Sequence, residues 1–565
     1  MRESRLSCAF AASVILFSWL SLDPGAAFAD GTTPGAAWKI TRAAWTPTDE
    51  RGYSAFVQAI GESDCHSIES CLSGPANPYR ASDPAGLDIK GDCSKLPYFL
   101  RAYYAWKNGL PFGYVSDVEE ITLPGAPTPE PGPSASPTPP VDLRYTPNGN
   151  RVIERHSVIT RADGQFPDAI HVLTAIFDLV SSAAYRIDPT QEVSPLLSDL
   201  YPARIDRESI RPGTVIYDTS GHVTLIYKVD ADGQIHYIDT HPDYSLTHGL
   251  YGAKFVRSRP AMGGGFKNFR PIQLVGATRD AEGNLIGGKI VLTPSSKIAD
   301  YSLEQYFGNQ PSPNGDWRQG RFLIDDQTLD FQDYVRHALA TETLRYDPLF
   351  ELNTMLGGLC QDLHDRVDAV QLAVTAGISA QAHPVALPLN IYGTEGDWET
   401  YSTSSRDARL KTSFKEVRDR LAQFLDEEQS HPELLNYQGK NLKSDLATQF
   451  TSASSACQIQ YKKSDGTSQS VSLRSLFGRV FSLSFDPYHC VELRWGESSA
   501  QALQACADDS SKREWYSAEQ RLRNQLDRTY DLPMNFTLMD LEAKKIGSGI
   551  DLPPDVNVEQ LLGID

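Results

Sequence analysis

Beyond an apolar run near its start, the 565-residue chain has no stretch approaching the roughly 20 consecutive apolar residues of a membrane-spanning helix, so no membrane span is expected. Basic residues are also scarce: 52 Lys and Arg against 72 Asp and Glu leave a net charge of −20. A nucleic acid or an anionic membrane needs a basic footprint, so neither is an expected partner. The 12 histidines include no HExxH pair or other dense ligand spacing, and no metal or cofactor is expected. No internal repeat is visible.

What is present begins with MRESRLSCAFAASVILFSWLSLDPGAAFAD. Arg2 and Arg5, the apolar run from about Cys8 to Leu22 and the small-residue site Ala27-Phe28-Ala29 read as a secretory signal peptide over residues 1–29. The expected product is exported, periplasmic or extracellular. Export changes the reading of the cysteines, because an oxidising compartment pairs thiols that have no other use. Past the signal stand Cys65, Cys71, Cys93, Cys360, Cys457, Cys490 and Cys506, an odd set. Cys65 and Cys71 lie close enough to close a small loop, Cys490 and Cys506 bracket a short polar segment, and Cys360 is then left to meet Cys457. Spacing does not decide among connectivities, but this one leaves Cys93 free.

Residues 123–141, LPGAPTPEPGPSASPTPPV, are too rich in Pro and Gly to pack and read as an extended excursion. Before them, GDCSKLPYFLRAYYAWKNGLPFGYV, residues 91–115, predicts an aromatic-rich helix opening at Cys93. After them come a helical stretch from His171 and then SIRPGTVIYDTSGHVTLIYKVDADGQIHYIDTHPD, which alternates and turns like three antiparallel strands. From about residue 280 apolar residues recur at helical spacing in LDFQDYVRHALATETL, LFELNTMLGGLCQDLHDRVDAVQLAV and SFKEVRDRLAQFLDEEQS. SLRSLFGRVFSLSFDPYHCVELRW reads as β, and WYSAEQRLRNQLDRTY as helix.

A thiol becomes a strong nucleophile when a neighbour stabilises the thiolate, so a partner for Cys93 is sought among the histidines. His222 follows Gly221 at the mouth of a strand. In a hairpin turning at Asp230–Gly233, Val229 pairs with Gln234, Thr224 with Asp239 and His222 with His241; a bulge would upset this register. His222 and Asp239 then share one face as diagonal neighbours. Each residue has a role: Cys93 attacks a carbonyl, His222 carries the proton, and Asp239 holds the imidazole tautomer. A helix N-terminus at Cys93 would lower the thiol pKa and offer a backbone N–H to the oxyanion. Pro97 fits poorly with a helix beginning at Asp92.

Each of these residues has a plainer reading. An isolated cysteine in an exported chain is by default half of a disulfide, His222 is otherwise a strand-end histidine, and Asp239 otherwise caps a turn, with His241 as rival third member. His222, His236, His241 and His248 cluster in sequence, yet the register sends His236 to the opposite face from His222. Residues 390–411, with Trp398, Tyr401 and Arg406, are a candidate recognition loop or a simple connector.

The order Cys93, His222, Asp239, with the cysteine opening a helix and the other two on successive strands, resembles the papain-like cysteine hydrolase superfamily. Gly109-Leu110-Pro111 after the cysteine helix and Tyr237-Ile238-Asp239-Thr240 are similar to its transglutaminase-like branch. Arg211-Pro212-Gly213-Thr214-Val215-Ile216 followed by Gly221-His222-Val223 is similar to the NlpC/P60 and CHAP branch, with Thr214 where those hydrolases carry Asp. The resemblance implies a cysteine hydrolase or acyl transferase acting on an amide bond, with a peptide or peptidoglycan-like substrate.

The expected architecture is α+β: a papain-like domain over residues 30–275, with a Cys-bearing helix packed on an antiparallel sheet and the Pro-rich insertion 123–141, then a helix-rich region with disulfides over 276–565. The expected activity is that of a peptidase or amidase. Transglutaminase-type acyl transfer and a non-catalytic envelope-binding protein on the same scaffold are the alternatives.

Overall fold

The computed structural model describes residues 35–122, 142–192, 194–324, 326–393, 396–528 and 533–564. The expected signal peptide and the Pro-rich excursion lie outside the described residues. The chain is a mixed α/β protein with antiparallel sheets. Among the described residues no helix is long and apolar enough to cross a membrane.

Its first part holds helices α1 (Pro47–Gly61), α2 (Ile68–Ser73), α3 (Leu96–Lys107) and α4 (Ala169–Leu179). With them come a ribbon of β1 (Phe112–Glu120) and β2 (Asn150–Val158), and strands β3 (Leu200–Pro202), β4 (Val215–Asp218), β5 (His222–Val229), β6 (Ile235–Thr240), β7 (Leu246–Leu250) and β8 (Gly265–Phe269). The last six form one antiparallel sheet in the order β3-β8-β4-β5-β6-β7. The three strands expected from sequence are its centre, β4 to β6.

Period-two alternation gives this sheet two apolar faces. Val215, Tyr217, Val223, Leu225 and Ile238 pack with α1 and α3. Ile216, Ile226, Ile235, Tyr237 and Phe266 face the other way, onto Phe322, Phe331, Tyr334, Val335 and Leu339. Packing on the sheet therefore draws on chain well past residue 275.

Helix α3 is buried on every side from Leu96 to Trp106, which suits its aromatic content. Even Arg101 is only 4% exposed, because its guanidinium pairs with Glu50 (2.6 and 2.8 Å) and lies 3.3 Å over the Trp45 ring. The helix starts at Leu96, later than the sequence suggested, so Pro97 falls in its first turn, where an amide N–H has no intrahelical partner to lose. Cys93 sits in the turn before it, N-terminal to the helix itself.

Between residues 272 and 329 the chain still forms short β pairs, so the helical texture begins only at Phe331. Among those pairs lies one short helix, α5 (Glu304–Phe307); from Phe331 follow α6 (Phe331–Leu339), α7 (Pro348–Thr375), α8 (Gly396–Tyr401), α9 (Ser404–Ser430) and α10 (Leu442–Ala456). Leu352, Leu356, Leu359 and Leu363 of α7 meet Leu410, Phe414, Val417 and Leu421 of α9 at helical spacing in one core. The segment Ser472–Trp495, read as β from its alternation, instead forms short helical turns between irregular stretches. Its alternating apolar residues, including Leu476, Val480 and Leu483, are buried against the helices, and a short apolar run looks alike in either setting.

Three disulfides join Cys65 to Cys71, Cys360 to Cys457 and Cys490 to Cys506. Among the described residues Cys93 is the free cysteine.

Candidate active site

The hairpin of β5 and β6 brings the expected residues together by a route the sequence did not show. At the turn, Val229 pairs with Ile235, one residue off the expected Gln234. A bulge between Ile226 and Lys228 then removes that offset, so Ile226 faces Tyr237 and Leu225 faces Ile238. The expected register is thus restored where the site lies. His222 Nε2 is 2.5 Å from Asp239 Oδ2. Both side chains are buried, at 8% and 4% exposure.

Sequence reasoning missed Thr247. It stands directly across from Asp239 on β7 and donates its hydroxyl to Asp239 Oδ1 at 2.5 Å. The Asp243-Tyr244-Ser245 turn after His241 was the available signal for this further hairpin. Burial alone would raise the Asp239 carboxyl, but His241, His222 and Thr247 hold it well below the usual carboxylate range. An ionised Asp239 assigns the shared proton to His222 Nε2 and leaves Nδ1 as the basic nitrogen. Burial, then the Arg409 charge, lower the His222 pKa against the pull of Asp239, so the resting imidazole is neutral.

His241 stacks on His222, with ring centroids 5.8 Å apart, and bonds Thr247 Oγ1 at 3.0 Å. Its Nε2 is 3.9 Å from Asp239 Oδ2, so the hydrogen bond to His222 is made by Asp239 and not by His241. His236 turns away to Asp230 (2.6 Å), and His248 bonds the Gly61 carbonyl (2.9 Å).

Cys93 and His222 line one cleft of about 110 Å³. The turn carrying Cys93 is pinned by Asp92, which accepts from Ser94 N–H (2.9 Å) and Ser94 Oγ (2.7 Å), and by the Tyr185 hydroxyl on the Ser94 carbonyl (2.6 Å). The half-buried thiol points at the peptides flanking His222: Sγ donates to Gly221 O at 3.9 Å, and the Val223 N–H favours its ionised form. No direct thiol–imidazole hydrogen bond is formed among the described residues. Burial, followed by the Asp92 charge, pushes the thiol pKa up to about 12, opposite to the lowering expected from a helix N-terminus. The helix itself begins at Leu96, three residues past Cys93, and burial outweighs any help from its N-terminus. The resting arrangement is a neutral thiol, a neutral imidazole and a carboxylate.

No family model matches the chain, and neither a curated protein nor a solved structure matches it. The site therefore rests on its own geometry.

Further lining of the cleft comes from Tyr392, Gly393 and residues between Trp398 and Arg409. Of the three residues singled out there, Trp398 and Arg406 line the cleft and Tyr401 packs against the core beside it. Trp398 is no exposed loop residue: it lies on α8, and its Nε1–H donates to Ile391 O at 3.0 Å. Arg409, one turn beyond Arg406 on α9, also faces the cleft and was not singled out, although its spacing of three from Arg406 was visible in the sequence.

Proposed function

We propose that the protein is an exported thiol-dependent hydrolase, a peptidase or amidase, using Cys93, His222 and Asp239 on a papain-like scaffold. The observation that carries this reading is the 2.5 Å bond from His222 Nε2 to Asp239 Oδ2, made at a cleft that is also lined by Cys93, the one free thiol among the described residues. A buried carboxylate–imidazole pair whose second nitrogen is free is the arrangement a general base requires.

In this reading His222 Nδ1 accepts the Cys93 proton as Sγ attacks an amide carbonyl, and Asp239 stabilises the imidazolium that results. His222 then returns the proton to the leaving amine, giving a thioester that water hydrolyses. The Cys93 N–H is a suitable oxyanion donor, because the neighbouring Ser94 and Lys95 amides are committed to Asp92 (2.9 and 3.0 Å) and it has no such acceptor among the described residues. Reaching Nδ1 requires the thiol to leave the Gly221 carbonyl, a side-chain rotation that substrate binding in the cleft would drive.

The raised thiol pKa favours one second reading, a non-catalytic binding protein on the same scaffold. Treatment with a peptide-based thiol electrophile separates the two. Modification of Cys93 that disappears in His222→Ala supports catalysis. A Cys93 that is inert in the native protein, or a Cys93→Ala variant that keeps full amide hydrolysis, overturns it.

A further inference from the structure

The cleft that holds Cys93 is also lined by two positive charges that form no close ion pair among the described residues. Arg406 and Arg409 lie three apart on α9 and so share one face of it. Both reach the Cys93–His222 cleft and the small cavity of about 30 Å³ behind Asp239 and His241. Neither forms an ion pair among the described residues. Arg406 donates to the Asp365 carbonyl (3.2 Å), and Arg409 to Ser405 Oγ (2.9 Å).

The acids around them are engaged elsewhere. Asp239 is held by His222 and Thr247, Asp218 by Arg528 (2.7 Å), and Glu399 by Arg144 (2.7 Å). Asp362 lies 3.5 Å from Lys254, while Asp365 accepts from Gln361 at 2.9 Å and burial raises its pKa to about 6. Asp243, at the rim, accepts from Ser245. Removing a guanidinium from water without a counter-charge is costly, and a chain with net charge −20 has acids to spare for pairing. In this cleft no acid comes within ion-pair distance of either arginine among the described residues, and Asp365 for Arg406 and Asp239 and Asp218 for Arg409 act only from further off. A carboxylate restores the balance, since a guanidinium fork matches its two oxygens.

We propose that Arg406 and Arg409 form an anion subsite in the Cys93 cleft, and that the substrate is an amide carrying a carboxylate next to the bond that is cleaved. The substrate assignment rests on the hydrolase reading; the anion subsite does not. Besides burial, the Arg409 charge helps keep His222 neutral at rest and both arginines do so for His241, so a carboxylate bound at Arg409 would also make proton uptake by His222 easier. Binding and activation are thereby linked through one pair of side chains.

Two measurements on the full chain test this. The first is alkylation of Cys93 by anionic iodoacetate and by neutral iodoacetamide; in each case the S–C bond forms, iodide leaves and the thiol proton passes to base. Iodoacetate is expected to react saturably, and the iodoacetate-to-iodoacetamide rate ratio to fall at least tenfold in Arg409→Gln and in Arg406→Gln while Arg409→Lys keeps most of it. A ratio unchanged in both Gln variants overturns the subsite.

The second measurement is calorimetric binding to Cys93→Ala of N-acetylalanine, N-acetylaspartate α-amide and neutral N-acetylalaninamide. The first two distinguish a chain-terminal from a side-chain carboxylate. At least tenfold tighter binding of either acid than of the neutral amide, abolished by adding Arg406→Gln, supports the subsite even if Cys93 proves unreactive to both reagents, a result that would defeat only the hydrolase reading. Equal binding of all three ligands refutes it.

Discussion

His222 and Asp239 are diagonal, not opposite, on adjacent strands: Thr224 is the residue in register with Asp239, and the imidazole reaches back across the pair to bond the carboxylate at 2.5 Å. This geometry engages Nε2 and leaves Nδ1 without a hydrogen bond among the described residues. Asp239→Asn keeps the size of the side chain and removes its charge. If His222 is the general base, amide hydrolysis or Cys93 alkylation should fall on the order of 10²- to 10⁴-fold. Circular dichroism should be unchanged, and a loss below tenfold would show that the pair is only structural.

The pH dependence of Cys93 reactivity follows from the neutral resting state. An ordinary thiol gains reactivity as pH rises through its usual value near 9, whereas Cys93 is raised to about 12 and, in the proposed mechanism, gives its proton to His222. Because the His222 value is lowered, the base is available down to below pH 6.5. Iodoacetamide alkylation is expected to plateau between about pH 7 and pH 9, and in His222→Gln to become slow and to rise with alkalinity. A wild-type rate climbing tenfold per pH unit through 8 would contradict this.

Stability should fall in mild acid. The His222 and His241 pKa values are lowered on folding from 6.5, so the unfolded chain takes up their protons first. Their contribution is complete above about pH 6.5 and is lost as pH drops below it. Asp239, also lowered, adds a second loss as pH falls below its ordinary value of 3.8. Urea midpoints measured from pH 8 to pH 5 should decline, and less steeply in the His222→Gln, His241→Gln double variant.

Gly221 holds φ at +84°, and a Cβ there would stand 3.0 Å from Tyr145 Cε1. Gly221→Ala should cost about 1–2 kcal/mol from the left-handed backbone alone. Because the Gly221 carbonyl is the acceptor for the Cys93 thiol, the rate of Cys93 alkylation should shift together with the thermal midpoint. A variant as stable as wild type would show that the turn relaxes without strain.

The cleft wall depends on a distant ion pair. Arg366 of α7 holds Asp407 of α9 through two bonds of 2.7 and 2.9 Å, with both side chains at most 1% exposed. Asp407 lies between Arg406 and Arg409, so this pair sets the rotation of α9 at the cleft. Asp407→Asn leaves Arg366 buried without its counter-charge and should destabilise the fold by about 3–5 kcal/mol, read as a lower urea midpoint. A shift under 1 kcal/mol would mean that Arg366 is satisfied by the Ser484 carbonyl (3.0 Å) alone.

Much of this was legible along the chain, because it rests on local rules. Odd cysteine arithmetic left Cys93 over, and Cys65–Cys71, Cys490–Cys506 and Cys360–Cys457 form as proximity and elimination suggested. Strand alternation placed His222 and Asp239 on one face, and helical spacing located α6, α7 and α9. What periodicity could not carry was any effect of a neighbour distant in sequence. The bulge at β5 that preserves the register depends on how the sheet packs. The later start of α3 accommodates Pro97 and leaves Cys93 in the turn before the helix. Burial by elements far along the chain raises the thiol to about 12. The sequence by itself determined that His222 and Asp239 share a face and that one cysteine past residue 29 is left over. Only the tertiary structure decided their protonation, and set Arg406 and Arg409 in one cleft with Cys93, because desolvation and unbalanced charge arise from packing between segments some 300 residues apart.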